Sequence, residues 1–148
     1  MENLKALLKE NNVPFELIDH DIAIRTAQEG AAYFEINVGQ TAPTLILKTD
    51  KGFFALIMSG DRGHVDFDEV ASILGCKKVK LAGAREVEKV TGCTVGSISM
   101  VGHNLPCIID KRLSQYSNIY GGSGKATCTL KINPSALVKL NKIIATLE

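Results

Sequence analysis

The triplet Ser123-Gly124-Lys125 looks at first like the end of a phosphate-binding loop. A glycine lets the main chain come close, and a lysine supplies charge. The full phosphate-loop pattern needs a glycine five residues before Gly124 and Ser or Thr after Lys125. Ile119 and Ala126 stand there, and a strand pattern follows where that loop requires a helix, so a nucleotide triphosphatase is excluded. A plain tight turn and a concavity of backbone N–H groups beside a ligand both remain open. Gly92, Gly96 and Gly102 form a second glycine framework, with Thr91, Thr94, Ser97 and Ser99 around them. Long irregular segments in compact domains are usually functional or disordered, and this one reads as lining a ligand.

The other reactive side chains show less pattern. Cys76, Cys93, Cys107 and Cys128 contain no CxxC pair, and His20, His64 and His103 share no ligand spacing. The cysteines read as reduced thiols packed as small hydrophobes, with a functional thiol left open at Cys93 and Cys107 beside the glycine segment. No metal is expected. Lys77, Lys78 and Lys80 form one short basic run and Lys111-Arg112 another, either solvated surface or contacts to an RNA backbone.

Composition sets the frame for these groups. The 148 residues, 45% hydrophobic and 22% charged, fit one globular domain over residues 1–148. With 17 Lys and Arg against 16 Asp and Glu, the formal charge is +1, so no global basic field announces nucleic acid. Any RNA contact must be a local patch. No apolar run reaches the roughly 18 residues of a membrane span. The N-terminus reads as an amphipathic helix rather than a signal peptide, and the expected address is cytoplasmic.

The elements that must position the glycine loops are legible in outline. Leu4, Leu7 and Leu8 recur at helical spacing until Asn11-Asn12-Val13-Pro14, and Phe15 to Ile18 reads as a strand. Thr26-Ala27-Gln28-Glu29 is a capping box opening a helix to about Ile36, ending near Gly39, and Asp66-Phe67-Asp68-Glu69 is a second, its helix closed by Gly75. Thr44 to Lys48 and Phe53 to Met58 read as a hairpin about Asp50-Lys51-Gly52. Strands over Lys78–Ala82, Pro106–Asp110, Ser117–Tyr120 and Ala126–Ile132, and a short helix over Glu86–Val90, complete the middle. Gly121 to Gly124 reads as a tight connection. Asn133-Pro134 starts a last helix with Leu137, Leu140, Ile144 and Leu147 as its apolar stripe. The class is α/β or α+β with a mixed sheet.

In this order the segments resemble a known family. Thr26-Ala27-Gln28-Glu29-Gly30-Ala31-Ala32 is similar to its signature helix. Leu74 to Val79, Thr91 to Ile98, Leu105 to Asp110 and Ile119 to Lys125 follow it in order. The set resembles the YbaK/ProX (YbaK/EbsC) aminoacyl-tRNA deacylases associated with prolyl-tRNA synthetase editing, over nearly the whole chain. The resemblance implies a six- or seven-stranded, barrel-like mixed sheet with flanking helices. It implies hydrolysis, in trans, of the ester of a mischarged tRNA of the Cys- or Ala-tRNA(Pro) class, with no metal or cofactor. The implied partners are the aminoacyl-tRNA 3′ end and prolyl-tRNA synthetase.

On that reading Gly96 and Ser97 supply backbone donors to the developing oxyanion. Thr44, Gly122, Ser123, Gly124, Lys125 and Thr129 bind substrate. Three positions depart from the family. Pro43 stands where the family carries the lysine whose charge engages the substrate. Lys48 cannot replace it, lying an odd number of residues on and ~16 Å along an extended strand, on the opposite face. Thr129 stands where members that deacylate cysteinyl-tRNA carry an acid, and Met100 where the Gly96 loop usually closes with proline. Weakened catalysis is therefore expected. The alternative is a non-catalytic aminoacyl-tRNA or small-ligand binding module, or a protein-interaction module on the same fold. An open, polar-lined pocket favours the ligand; a closed one filled by Met100 favours the interaction module.

Overall fold

Local sequence chemistry accounts for most helix ends. The computed structural model describes all residues from Met1 to Glu148. Helix α1 spans Glu2–Glu10 and buries Leu4 and Leu8. Strand β1 follows over Phe15–Asp19. In α2, Ala27–Phe34, the capping box forms as expected: Glu29 N–H donates to Thr26 Oγ1 and Thr26 N–H to the Glu29 carboxylate, both at 3.1 Å. This helix stops at Phe34, short of the expected Ile36, because Glu35 takes a left-handed conformation. Helix α3, Phe67–Leu74, is capped by the Asp66 carboxylate and closed by left-handed Gly75. Its cap is one-sided, since Asp66 accepts from Asp68 and Glu69 without the reciprocal Glu69 bond expected of a capping box.

The strands form two mixed sheets, not one barrel-like sheet. Strand β2, Thr41–Ala42, lies parallel to β7, Ile119–Gly122, which pairs antiparallel with β8, Cys128–Ile132, and β8 pairs with β1. The second sheet has the order β5-β3-β4-β6-β9. In it, β3 (Thr44–Thr49) and β4 (Gly52–Ile57) are the expected hairpin, with β5 (Val79–Leu81) on one side and β6 (Pro106–Asp110) on the other. Helix α4, Ala84–Thr91, follows β5. Pro43 is the residue at which the chain crosses from the first sheet to the second. Gly121 and Gly122, expected in a turn, are the end of β7.

The C-terminus departs most from expectation. Helix α5 covers only Ser135–Leu140, and Lys142–Leu147 is strand β9, parallel to β6. The supposed helical stripe is therefore split. Register passes from Cys107↔Ile143 to Ile108↔Ala145, leaving Ile144 as an unpaired bulge residue, 42% exposed.

Both faces of the five-stranded sheet are covered, which explains its long apolar runs. Ile46, Ala55, Ile57 and Cys107 face the main core with Leu8, Leu130 and Leu137. Their neighbours Leu47, Leu56, Met58 and Ile108 face a second cluster containing Val70 of α3.

The glycines of β7 are there for close packing. Met100 N–H donates to the Gly122 carbonyl at 3.1 Å, and Gly124 N–H to the Ser97 carbonyl at 2.9 Å. A Cβ on Gly122 would collide with the Ile98 carbonyl, and one on Gly121 with Met100 Sδ. Gly122→Ala is expected to destabilise the fold by about 1–3 kcal/mol, the usual penalty for forcing a methyl into a filled space. Urea unfolding measures it, and an unchanged midpoint refutes the close approach.

Candidate functional site

At the seam between the sheets lies an open cleft of about 200 Å³. Its walls are Ile24 to Ala27 at the start of α2, the crossover Thr41–Leu45, the loop Val95–Ile98, Tyr120–Gly122 of β7, Lys125, and Cys128–Thr129 of β8. Capping of α2, the proline crossover and the glycine contact between loop and β7 thus each set one wall.

Of the residues expected at a site, Pro43, Thr44, Gly96, Ser97, Gly122, Lys125 and Thr129 line this cleft together. Ser123 and Gly124 do not. The Ser123 hydroxyl is buried and donates to the Cys128 carbonyl at 2.7 Å, and Gly124 holds the loop. Met100 is fully buried in the main core, outside the cleft. Lys48 is paired with Glu86 at 2.6 Å and is not part of the cleft wall.

The donors differ in availability. Ser97 N–H already donates to the Thr94 carbonyl at 3.1 Å, and its hydroxyl shares a 2.8 Å hydrogen bond with Thr94. Gly96 N–H has no partner within the protein. Thr44 is 8% exposed, and its hydroxyl has no hydrogen-bond partner. An unpaired buried hydroxyl is costly in a folded protein, so its place on a cavity wall points to a missing partner. Thr129 is bonded through its hydroxyl to His20 Nε2 at 3.0 Å.

Arg25 and Cys128 are among the lining residues that were not singled out from sequence as site residues. Arg25 precedes the Thr26 cap and looks like a solvated surface charge until the fold sets it against Gly96. Cys128 read as a core thiol. Burial pushes its thiol up, so it is no thiolate nucleophile near neutral pH. Arg25, Tyr120, Lys125 and Cys128 are the ionisable side chains on the wall, and no carboxylate or imidazole lines it. No cluster of His, Cys, Asp and Glu in the chain has metal-site geometry.

Two mixed sheets thus meet at an open cleft that carries Arg25 and Lys125 on its wall and the unpartnered Thr44 hydroxyl. The family model for the aminoacyl-tRNA editing domain matches residues 22–140. The chain belongs to that family, as its ordered segments led us to expect. It is similar to a proline–tRNA ligase of Caldicellulosiruptor saccharolyticus, 29% identical over 108 residues, covering 73% of this chain and 19% of the ligase. It is likewise similar to one of Desulforamulus reducens, 30% identical over 112 residues, covering 74% and 20%. The chain therefore spans about a fifth of the length of these relatives.

Among solved structures, hypothetical protein APE2540 superposes with a TM-score of 0.87 at 25% identity, covering 97% of this chain and 96% of that one. A protein proposed as a trans-editing enzyme for prolyl tRNA synthetase superposes at 0.85 and 24% identity, covering 97% and 92%, and supports the fold. No helix is long and apolar enough to cross a membrane.

Proposed function

We propose that this protein, working as one cytoplasmic domain over residues 1–148, hydrolyses in trans the ester of a tRNA carrying a wrong, small amino acid. Its rate is reduced by the loss of a cation at position 43. The observation that carries this reading is the open cleft: Met100 packs into the core, leaving the space between Pro43, Gly96 and Gly122 free.

The chemistry asked of the cleft is modest. The ester carbonyl becomes an oxyanion, for which the unpartnered Gly96 N–H is the available backbone donor. The Thr44 hydroxyl positions a water for attack; as the new C–O bond forms and the ester C–O bond breaks, the water's proton passes to the leaving ribose oxygen. With no carboxylate or imidazole on the wall, that proton travels through water or the substrate's own hydroxyl. Ala42, Leu45 and Ile98 shape the apolar side of the cleft. A pocket of this kind discriminates one methylene by only ~1–3 kcal/mol, which suits selection by size among alanine, cysteine and proline.

One observation favours a non-catalytic binding module instead. The Ser97 and Gly124 N–H groups are already used inside the protein, which leaves few donors for a transition state. A panel of Ala-, Cys- and Pro-tRNA(Pro) decides between them, read as amino acid released and, separately, as binding, with and without prolyl-tRNA synthetase. Turnover of a mischarged species is the expected result. Binding without turnover establishes the binding module, and neither one refutes both.

A further inference from the structure

We infer that Arg25 and Lys125 together grip a phosphate at the mouth of the cleft, namely the phosphodiester on the 5′ side of the acylated terminal nucleoside. This rests on the reading that the cleft takes a tRNA 3′ end. The two residues lie a hundred positions apart in sequence but on adjoining segments, because Ile24 N–H donates to the Ala126 carbonyl at 2.9 Å. His20 N–H donates to the Thr127 carbonyl, also at 2.9 Å, extending the same join. Both side chains line the cleft and both are exposed.

Neither makes an ion pair. Lys48, Arg62, Arg112 and Lys131, by contrast, each have a carboxylate within reach. The Glu29 carboxylate is engaged with the backbone N–H groups of Arg25 and Thr26. That carboxylate feels the Arg25 charge from the helix cap, but no acid lines the cleft wall beside either cation. Arg with Lys is a donor set suited to phosphate.

The wall under Arg25 is held firmly. Gly96, in a left-handed conformation at φ +91°, brings its Cα so close that a Cβ there would lie 3.1 Å from both the Arg25 Cβ and its carbonyl oxygen. The residues of the unpartnered Thr44 hydroxyl and Gly96 N–H line the same cleft, so an anchored phosphate would hold the adjoining ribose and ester near these polar groups. Arg25 and Lys125 are thus positioning residues. They supply charge from the α2 side and the β7–β8 loop, where the β3 edge offers only Pro43.

The test titrates the intact chain with adenosine, adenosine 5′-monophosphate and inorganic phosphate. The nucleotide is expected to bind roughly tenfold more tightly than the nucleoside, with an affinity that falls as salt rises. Arg25→Gln and Lys125→Gln should each remove most of that preference and leave adenosine binding unchanged, and Arg25→Lys should restore part of it. Equal binding of nucleotide and nucleoside overturns the inference. So does inorganic phosphate that binds as tightly as the nucleotide, since the pair would then serve free phosphate.

With aminoacyl-tRNA, Arg25→Gln should raise KM roughly tenfold at unchanged kcat, because the lost contact is the same in ground and transition states. If wild-type protein turns over aminoacyl-tRNA and both Gln variants keep its KM, the inference fails and the proposed function stands. If wild-type protein neither binds nor hydrolyses any aminoacyl-tRNA but keeps the nucleotide preference, the proposed function fails and the phosphate site stands.

Discussion

Pro43→Lys is expected to raise deacylation about 10- to 150-fold over wild type, the equivalent of one charged hydrogen bond of about 1.5–3 kcal/mol. The backbone at this crossover tolerates the change. The Pro43 carbonyl keeps its bond from Met58 N–H at 3.1 Å, and proline contributes no N–H that the exchange would remove. The residue is half-buried on the cleft wall, so a lysine stem lies along the crossover while its ammonium reaches the ligand space. Pro43→Gln adds a polar chain without charge and separates the cation from mere relief of rigidity. The measurement is kcat/KM on whichever mischarged tRNA the wild-type protein turns over or binds. A lysine variant no faster than the glutamine variant shows that Thr129 or the used Ser97 donor, not position 43, limits the site.

Legibility in the sequence tracked the range of the interaction responsible. The α2 cap was visible because Thr26 and Glu29 are three residues apart and satisfy each other. The β3–β4 hairpin was visible because its two apolar strands flank an Asp-Lys-Gly turn. The end of α5 was not. Leu137, Leu140, Ile144 and Leu147 keep helical spacing, yet Asn141 ends the helix and Lys142–Leu147 pairs with β6 instead. That pairing is with a strand more than thirty residues earlier, and only tertiary context can outvote local periodicity there.

The glycines of β7 were visible as glycines, but their purpose was misread as a turn. They are small because the Ser97–Ile98 backbone lies directly on Gly122, and the Met100 side chain and Ala42 carbonyl lie on Gly121. Arg25 was not legible as a cleft residue because its segment is joined to that of Lys125 only by backbone bonds between distant parts of the chain, Ile24 to Ala126 and His20 to Thr127. Of the legible cleft residues, Gly96 and Lys125 were marked by the glycine loops themselves, while Thr44 and Thr129 came from family resemblance.

Asp110→Ala is expected to destabilise the protein by about 3–5 kcal/mol, the cost of removing one partner of a buried ion pair. Asp110 is fully buried at the end of β6 and accepts from Arg62 Nε at 2.8 Å and Nη2 at 2.9 Å. It also accepts from Ser59 N–H and Arg112 N–H, each at 2.9 Å. Alanine leaves the Arg62 guanidinium, 13% exposed, and the Ser59 N–H without these acceptors. Burial pushes the Asp110 carboxyl up, but the Arg62 bonds and the two N–H groups together hold it below the usual carboxylate range. A carboxyl lower in the folded than the unfolded state adds stability that is complete above its unfolded value of about 3.9 and lost as pH falls through its folded value.

Unfolding free energy of the wild type should therefore fall below about pH 4, and Asp110→Asn should flatten that limb. A variant with the wild-type acid limb places the titration on another carboxylate. The consequence reaches the cleft. Ser59, held by Asp110, donates through its hydroxyl to the Gly39 carbonyl at 2.7 Å, and Gly60 N–H donates to the Thr41 carbonyl at 3.0 Å. Thr41 opens the crossover that presents Pro43 and Thr44, so the ion pair helps fix one wall of the cleft through the Ser59–Gly60 backbone and the Ser59 hydroxyl. Asp110→Asn, the milder change, should then raise KM for the aminoacyl-tRNA before it unfolds the chain.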